Sequence, residues 1–199
     1  HPLDELARFN KASDQELYRM EIIVKLLQKH KVDDSRIKAI VGRGGLLKPI
    51  EGGTYRVNQQ MVTDLRRGIQ GDHPSNCGGL IAYTMAKNIG CEAFIVDPVV
   101  VDELQDLARI SGMPLIKRRS IFHALNQKAV AREAAKKLGM TYQQARLIVA
   151  HLGGGITVGA HDKGRVRSGK LRGAGADKRG KYTEIPYRRI PPEAERART

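Results

Sequence analysis

The feature that most constrains the fold is the stretch LIVAHLGGGITVGAHDKGRV, residues 147–166, in which three glycines separate two strand-like runs. An apolar run precedes the glycines, and apolar and small residues alternate after them. Two such runs joined by a tight turn are typical of a β-hairpin. These twenty residues therefore commit the chain to a fold that contains antiparallel strands.

Upstream of the hairpin, helix-like and strand-like segments alternate. Ser13 stands three residues before Glu16, which predicts a capped helix over residues 13–30. The alternation as a whole predicts an α/β protein, and neither periodicity continues after Val166. The other predicted elements are buried strands at Ile37–Val41 and Ala93–Val96, helices ending at Gly68, Gly90 and Gly139, and a short helix between Pro98 and Leu107.

The formal net charge of +14 is unevenly distributed. Residues 167–199 carry ten Lys or Arg against four acidic side chains. A basic tail can bind nucleic acid by releasing counterions. The tail offers only Tyr182 and Tyr187 for base stacking, so an unstructured tail is favoured over specific nucleic-acid binding.

The remaining composition indicates a cytoplasmic protein with no membrane partner. The two cysteines, Cys77 and Cys91, have no CxxC spacing, and no His/Cys cluster has the spacing of metal ligands. No apolar run reaches the roughly 18 residues that a membrane span needs, and HPLDELARFN does not read as a signal peptide.

Each candidate site has a structural alternative. Gly153–Gly155 could let the backbone adopt positive φ and present N–H groups to a phosphate, or could simply form a tight turn. Asp97 could hold Mg²⁺ through water, could orient a basic partner, or could cap a helix after Pro98. His123 could be a hydrogen-bonded structural histidine. Arg43, set among glycines, suits a carboxylate or phosphate.

Five motifs follow one another between about residues 6 and 166: VGRGGLLKPIEGGTY, GDHPSNCGGLIAY, AFIVDPVVVDEL, RRSIFHALNQKAVAR and IVAHLGGGITVGAHDKGRV. Together they resemble the butyrate kinase branch of the acetate kinase family. The resemblance implies the α/β, ribonuclease-H-like (actin-like ATPase) fold in two domains. It also implies transfer of the γ-phosphoryl group of ATP, with Mg²⁺, to a short-chain fatty acid such as butanoate. A branched short-chain acid is the alternative substrate.

The resemblance assigns roles position by position. His123 matches a histidine that stabilises the transferring phosphoryl group, and Asp97 matches an acid at the active centre near the Mg²⁺. Arg43 would clamp the substrate carboxylate, although the family's catalytic arginine stands slightly earlier, where this chain has Ala39. The second phosphate loop corresponds to His151, Gly153, Gly154 and Gly155, and the substrate pocket to Gly44, Gly45, His73 and Asn76.

The family also has segments that this chain does not match. A first phosphate loop of the type NPGSTSTK lies upstream, and a third strand and an adenosine loop follow the hairpin. We therefore expect two incomplete domains: a partial acyl-substrate domain (1–100) and the beginning of a nucleotide domain (101–166).

Beyond these domains we expect a disordered or non-native basic tail (167–199), from a truncated or frame-shifted product. The hairpin would then lack its third strand, and kinase activity would be weak or absent. An intact relative would form a homodimer. The alternative is a non-catalytic module whose tail binds nucleic acid or an acidic partner.

Overall fold

A computed structural model describes residues 3–172, which fall into two compact units. In that range the first unit comprises residues 3–48 and 53–96, and the second comprises 49–52 and 97–172. No helix among these residues is long and apolar enough to cross a bilayer. The α-helices are α1 (Leu3–Leu6), α2 (Glu16–Lys29), α3 (Gln59–Arg67), α4 (Asn76–Ile89) and α5 (Ala124–Lys137), and the strands are β1 (Ala39–Arg43), β2 (Thr54–Arg56), β3 (Glu92–Val96), β4 (Arg146–Leu152), β5 (Ile156–Asp162) and β6 (Arg165–Arg172).

The first unit is a mixed sheet covered by helices. Strand β3 is central, with β1 parallel on one side and β2 antiparallel on the other. Helix α4 packs on β1 and β3, and its backbone at Gly78 lies so close to Arg43 that a Cβ on Gly78 would overlap the Arg43 carbonyl oxygen. Two predicted helix ends are confirmed, because Gly68 and Gly90 close α3 and α4 in the left-handed conformation.

Two expectations for the first unit are wrong. The capping box at Ser13 does not form: residues 13–15 make a 3₁₀ turn, and the Glu16 carboxylate binds Arg66 and Thr84 instead of a backbone N–H. The strand expected to be buried at residues 37–41 is shifted to β1, and Val41 is 61% exposed. Within residues 3–172, β1 has a neighbour on one side only, and such a strand keeps an open edge, which hydrophobicity alone does not reveal.

The second unit combines an antiparallel sheet with one long helix. Strands β4, β5 and β6 are hydrogen-bonded in that order, and α5 packs against β4. Gly139, in the left-handed conformation, follows α5 as predicted. The residues of this interface are small apart from one tyrosine, so the helix approaches the strand closely: Ala131, Ala135, Tyr142, Ala145 and Val149.

The expected loss of structure after Val166 is wrong. Strand β6 pairs with β5 from Asp162↔Arg165 to Ile156↔Arg172, so the hairpin has its third strand. Because β6 is mainly polar, a hydrophobicity pattern does not detect it, but its pairing needs only backbone N–H and C=O groups. The rest of the basic tail, residues 173–199, lies outside the described residues.

The prediction of a short helix after Pro98 is also wrong. Val101 instead forms a parallel bridge with Ile50, and only Asp106–Arg109 make a 3₁₀ turn. Next to the bridge, the buried Glu103 carboxylate accepts hydrogen bonds from the N–H groups of Gly52 (3.0 Å) and Val166 (2.8 Å). This segment is not helical, because the backbone of Val101 pairs with Ile50 and the carboxylate of Glu103 bonds to Gly52 and Val166, which are distant in sequence.

Candidate active site

The glycine turn joins β4 to β5. The last strand pair is Leu152↔Ile156, and the Gly153 N–H donates to the Gly155 carbonyl at 3.2 Å. None of the three glycines adopts positive φ, although the sequence analysis expected glycine here for that conformation. Space is the requirement instead: a Cβ would lie 2.9 Å from His151 Nε2 at Gly153 and 3.1 Å from His123 Cε1 at Gly155. The turn is therefore glycine-rich because two imidazoles lie against its backbone.

Those two imidazoles, His123 and His151, stack on each other. Their ring centroids are 3.8 Å apart and the ring planes differ by 16°. His123 precedes α5, and its Nδ1 is 2.9 Å from the hydroxyl of Thr157 on β5. His151 lies on β4, with its Nδ1 2.8 Å from Asn126 Oδ1. The structure thus brings together His123, His151 and the glycine turn, as the sequence predicts for one site.

Beneath His123 lies a series of polar side chains that we call the polar chain: His123, Thr157, Gln127, His161 and Tyr142. Gln127 Nε2 is 2.9 Å from Thr157 Oγ1, and Gln127 Oε1 is 3.2 Å from His161 Nε2. The Tyr142 hydroxyl is 2.7 Å from His161 Nδ1. Burial, with a smaller effect of Lys128, lowers the pKa of His161 to about 4, so this ring is neutral at pH 7.

The sequence analysis missed four of these five residues, although a periodic signal existed. Gln127 follows His123 by four residues, which places both on one face of a helix. Thr157 and His161 lie an even number of residues apart, which places both on one face of a strand. Gly159 stands between them, and a Cβ there would overlap Gln127 Oε1. Only the packing of α5 on the sheet shows that the two faces meet.

Asp97 is held in an ion pair in the second unit. Its side chain is fully buried, with Oδ2 3.0 Å from Nη1 of Arg132, and its backbone has φ of 39°. No helix follows Pro98, so the helix-cap alternative for Asp97 is wrong. The described residues contain no cluster of three or more His, Cys, Asp or Glu that could hold a metal ion.

The predicted substrate residues lie in the first unit. Arg43 ends β1 and is exposed, and Gly45 abuts Asn76 so closely that a Cβ there would lie 2.5 Å from Asn76 Oδ1. Asn76 is fully buried: its amide accepts from the Leu46 N–H and donates to two carbonyl oxygens. It therefore holds the Gly44–Gly45 loop in place. His73 is exposed and bonds locally to Ser75.

The fold is a mixed α/β fold of the acetate kinase type, in agreement with the predicted actin-like ATPase class. Acetate kinase from Porphyromonas gingivalis superposes with a TM-score of 0.62 at 19% identity over 77% of this chain, and acetate kinase from Entamoeba histolytica with 0.55 at 14% identity over 76%. A propionate kinase from Francisella tularensis subsp. tularensis SCHU S4 gives 0.51 at 20% identity over 76%.

The chain spans about two fifths of the length of these kinases, with 42%, 40% and 41% of their chains covered. No protein-family model matches this chain. Acetate and propionate kinases are among the solved structures that it resembles, and the narrower butyrate kinase assignment remains a prediction.

Proposed function

We propose that this chain belongs to a carboxylate kinase that transfers the γ-phosphoryl group of ATP to a short-chain fatty acid, with butanoate as the preferred substrate. The observation that carries the proposal is the stacked pair His123 and His151 against the glycine turn, in a fold shared with acetate and propionate kinases. The butanoate preference rests on the resemblance of the five sequence motifs. A branched acid of similar length is the closest competitor.

The chemistry needs no general base. A short-chain fatty acid, with a pKa of roughly 4, is ionised at neutral pH, so a carboxylate oxygen can attack the γ-phosphorus directly. One P–O bond forms to the carboxylate while the bond from the γ-phosphorus to the bridging oxygen breaks, which leaves ADP. Such a transfer depends on positioning and on neutralising the phosphoryl oxygens. Imidazole N–H groups and turn amides meet this need without a catalytic triad.

The site residues divide this work. His123 donates to the transferring phosphoryl group, and His151 with the amides of Gly154 and Gly155 holds the ATP phosphates, while Gly153 closes the turn through its bond to the Gly155 carbonyl. The open space around Gly154, where a Cβ would meet nothing within 4 Å, suits an approaching phosphate. MgATP brings its own cation. Asp97 is assigned to the active centre near that Mg²⁺, and its carboxylate is oriented by the ion pair with Arg132.

The carboxylate end of the reaction is assigned to the first unit. Arg43 is exposed, and it forms no ion pair within residues 3–172, so its guanidinium can clamp a carboxylate. Gly44, Gly45 and His73 line the pocket, whereas the buried Asn76 positions the loop from within.

Hydroxylamine trapping of acyl phosphate tests the proposal. Protein in excess over ATP is mixed with ¹⁴C-labelled butanoate, 2-methylpropanoate, propanoate or acetate, so that the hydroxamate from even a slow single turnover is detected. We expect a hydroxamate with butanoate above all, and its loss in His123→Asn but not in His30→Asn, which changes an exposed histidine in the first unit. No hydroxamate from any of the four acids would reject a carboxylate kinase. Formation with propanoate or acetate alone would reject only the butanoate preference.

A further inference from the structure

The interior of the polar chain has no access to water. Gln127 and Thr157 are 0% exposed and His161 is 2% exposed. Buried polar groups are almost always hydrogen-bonded, so each donor here needs an acceptor among its neighbours. The positions of the hydrogen atoms therefore follow from the heavy atoms.

The starting point is a backbone carbonyl. Gln127 Nε2 lies 3.1 Å from the carbonyl oxygen of Thr157, which can only accept a hydrogen bond. This contact sets the orientation of the Gln127 amide, with its nitrogen toward Thr157 and its oxygen toward His161. Because Gln127 Oε1 is an acceptor, His161 Nε2 must carry the hydrogen.

The two ends of the polar chain then follow. His161 is neutral, so its Nδ1 is an acceptor, and the Tyr142 hydroxyl donates to it. Burial raises the pKa of Tyr142, which keeps its hydroxyl protonated. At the other end, Thr157 Oγ1 accepts from Gln127 Nε2 and needs an acceptor for its own hydrogen. Within the described part of the chain that acceptor is His123 Nδ1, at 2.9 Å.

We infer that the polar chain is a one-way series of hydrogen bonds, donating from Tyr142 through His161, Gln127 and Thr157 to His123 Nδ1. It holds His123 as the neutral tautomer with its proton on Nε2. Gln127 and Thr157 are therefore positioning residues. Resting on the proposed function, this means that His123 presents an N–H donor to the phosphoryl group at neutral pH without first taking up a proton.

The alternative tautomer is disfavoured by the same contacts. With its proton on Nδ1, His123 would donate to Thr157 Oγ1, and the Thr157 hydroxyl hydrogen would lose the acceptor that the described residues give it. A buried donor without a partner is disfavoured by an amount that selects one tautomer by roughly 5- to 150-fold.

Histidine ring ¹⁵N spectra of the uniformly labelled 199-residue chain test this inference without ATP or substrate. The protonated and bare nitrogens of a neutral imidazole resonate far apart, and long-range couplings to the ring C–H protons tell Nδ1 from Nε2. His123→Gln and His161→Gln assign the two rings among the six histidines. In the parent chain we expect His123 and His161 both to carry the proton on Nε2. An Nδ1–H or doubly protonated His123 at pH 7 would overturn the inference.

Thr157→Val and Thr157→Ser form the matched pair of variants. Valine keeps the volume but removes the donor to His123 Nδ1, so the His123 signals should lose the single-tautomer pattern, while serine should restore it. A His123 pattern that valine leaves unchanged contradicts the inference. Gln127→Glu is a second test. The new carboxylate would accept the hydrogen of the Thr157 hydroxyl, so that Thr157 Oγ1 would present a lone pair to His123. The variant therefore predicts that His123 carries its proton on Nδ1.

These spectra do not depend on catalysis. The tautomer can therefore be established in a chain that makes no acyl phosphate, and acyl phosphate can be made by a chain that fails the tautomer test. Failure of the inference is thus separate from failure of the proposed function.

Discussion

Asp97 and Arg132 form an ion pair of unequal partners, in which the Asp97 side chain is fully buried and the Arg132 side chain is 47% exposed. The carboxylate oxygen and the guanidinium nitrogen are 3.0 Å apart. Asp97 also has a left-handed backbone, with φ of 39°. The charge of Asp97 and its backbone conformation therefore both affect the stability of the protein, and two substitutions at this position compare the two effects.

We expect Asp97→Ala to destabilise the protein by about 1–2 kcal/mol more than Asp97→Asn, because alanine resists the left-handed conformation that asparagine tolerates. Urea unfolding of the two variants measures this difference. Asp162→Asn, on a half-exposed acid, is the control and should change stability by less than about 0.5 kcal/mol. Equal stabilities for the alanine and asparagine variants would contradict the prediction.

The role proposed for His123 predicts a loss of turnover in a chain that makes acyl phosphate. His123→Ala should lower kcat by roughly 10²–10³-fold and change KM little, as expected when one donor to a developing oxyanion is removed. Single-turnover and steady-state acyl phosphate formation measure both quantities. Unchanged kcat in His123→Ala, or an equal loss in the exposed control His30→Ala, would show that the role has been misassigned.

The buried pair of Glu103 and Lys128 predicts a large and non-additive effect on stability. Their atoms are 2.8 Å apart and both side chains are at most 5% exposed. Lys128→Met leaves a buried carboxylate without its cation and should cost about 3–5 kcal/mol. The double variant Glu103→Gln/Lys128→Met should lose less, because glutamine is neutral, although its single oxygen can accept from only one of the two backbone N–H groups.

Denaturant unfolding at pH 7 measures both members of this series. Lys137→Met is the matched control, since Lys137 pairs with Glu133 on the surface at 3.8 Å and should contribute less than about 0.5 kcal/mol. A double variant no more stable than Lys128→Met would mean that packing, and not charge, dominates at this position.

The pKa of His161 predicts a pH dependence of stability. Burial lowers this pKa from 6.5 to about 4 in the folded protein, so between these values the unfolded chain binds the proton and the folded one does not. The free energy of unfolding should therefore fall by about 3 kcal/mol as pH drops from 6.5 to 4.

Thermal or urea unfolding across this range checks the slope, which should flatten in His161→Gln and persist in His30→Gln. Glu103 does not confuse the result. Burial raises its pKa, but Lys128 and the hydrogen bonds lower it further, to below the usual 4.5. Its contribution therefore begins to fall only below about pH 5, where the unfolded carboxyl takes up protons, so the slope between pH 6.5 and 5 is free of it. A steep slope retained in His161→Gln would contradict the assignment.

Close backbone packing in the first unit predicts a penalty for Gly78→Ala. A Cβ at Gly78 would overlap the carbonyl oxygen of Arg43, and this backbone cannot move without shifting β1. We expect a loss of about 1–3 kcal/mol. Gly112→Ala, where a Cβ would meet no atom within 4 Å, should stay within about 0.5 kcal/mol in the same urea titration. Equal effects of the two substitutions would contradict this account.

Local signals predicted a large part of this fold. The glycines at positions 68, 90 and 139 mark helix ends because each adopts a conformation that other residues avoid. The hairpin was predictable from its apolar runs. By contrast, four of the eight residues of β6 are basic, and its strand character comes from pairing with β5, which no local window contains.

The site shows the same division. His123, His151 and the glycine turn were identified from their motifs, and the structure brings them together. The polar chain beneath them was not identified from the sequence, because Gln127 on α5 contacts Thr157, thirty residues away on β5. The partner of Asp97 is likewise thirty-five residues distant on α5. Such contacts depend on how a helix face meets a strand face, and that arrangement is absent from either segment alone.

The hydrogen bonds of Glu103 to Gly52 and Val166 have a consequence for synthesis on the ribosome. The carboxylate joins residues that are 51 positions upstream and 63 positions downstream. Contacts of such long sequence separation form late, because loop closure must precede them. While the chain grows, Glu103 and Lys128 must stay hydrated until Val166 has left the exit tunnel. The second unit should therefore complete its fold only after Val166 has emerged from the ribosome, more than a hundred residues after Gly52.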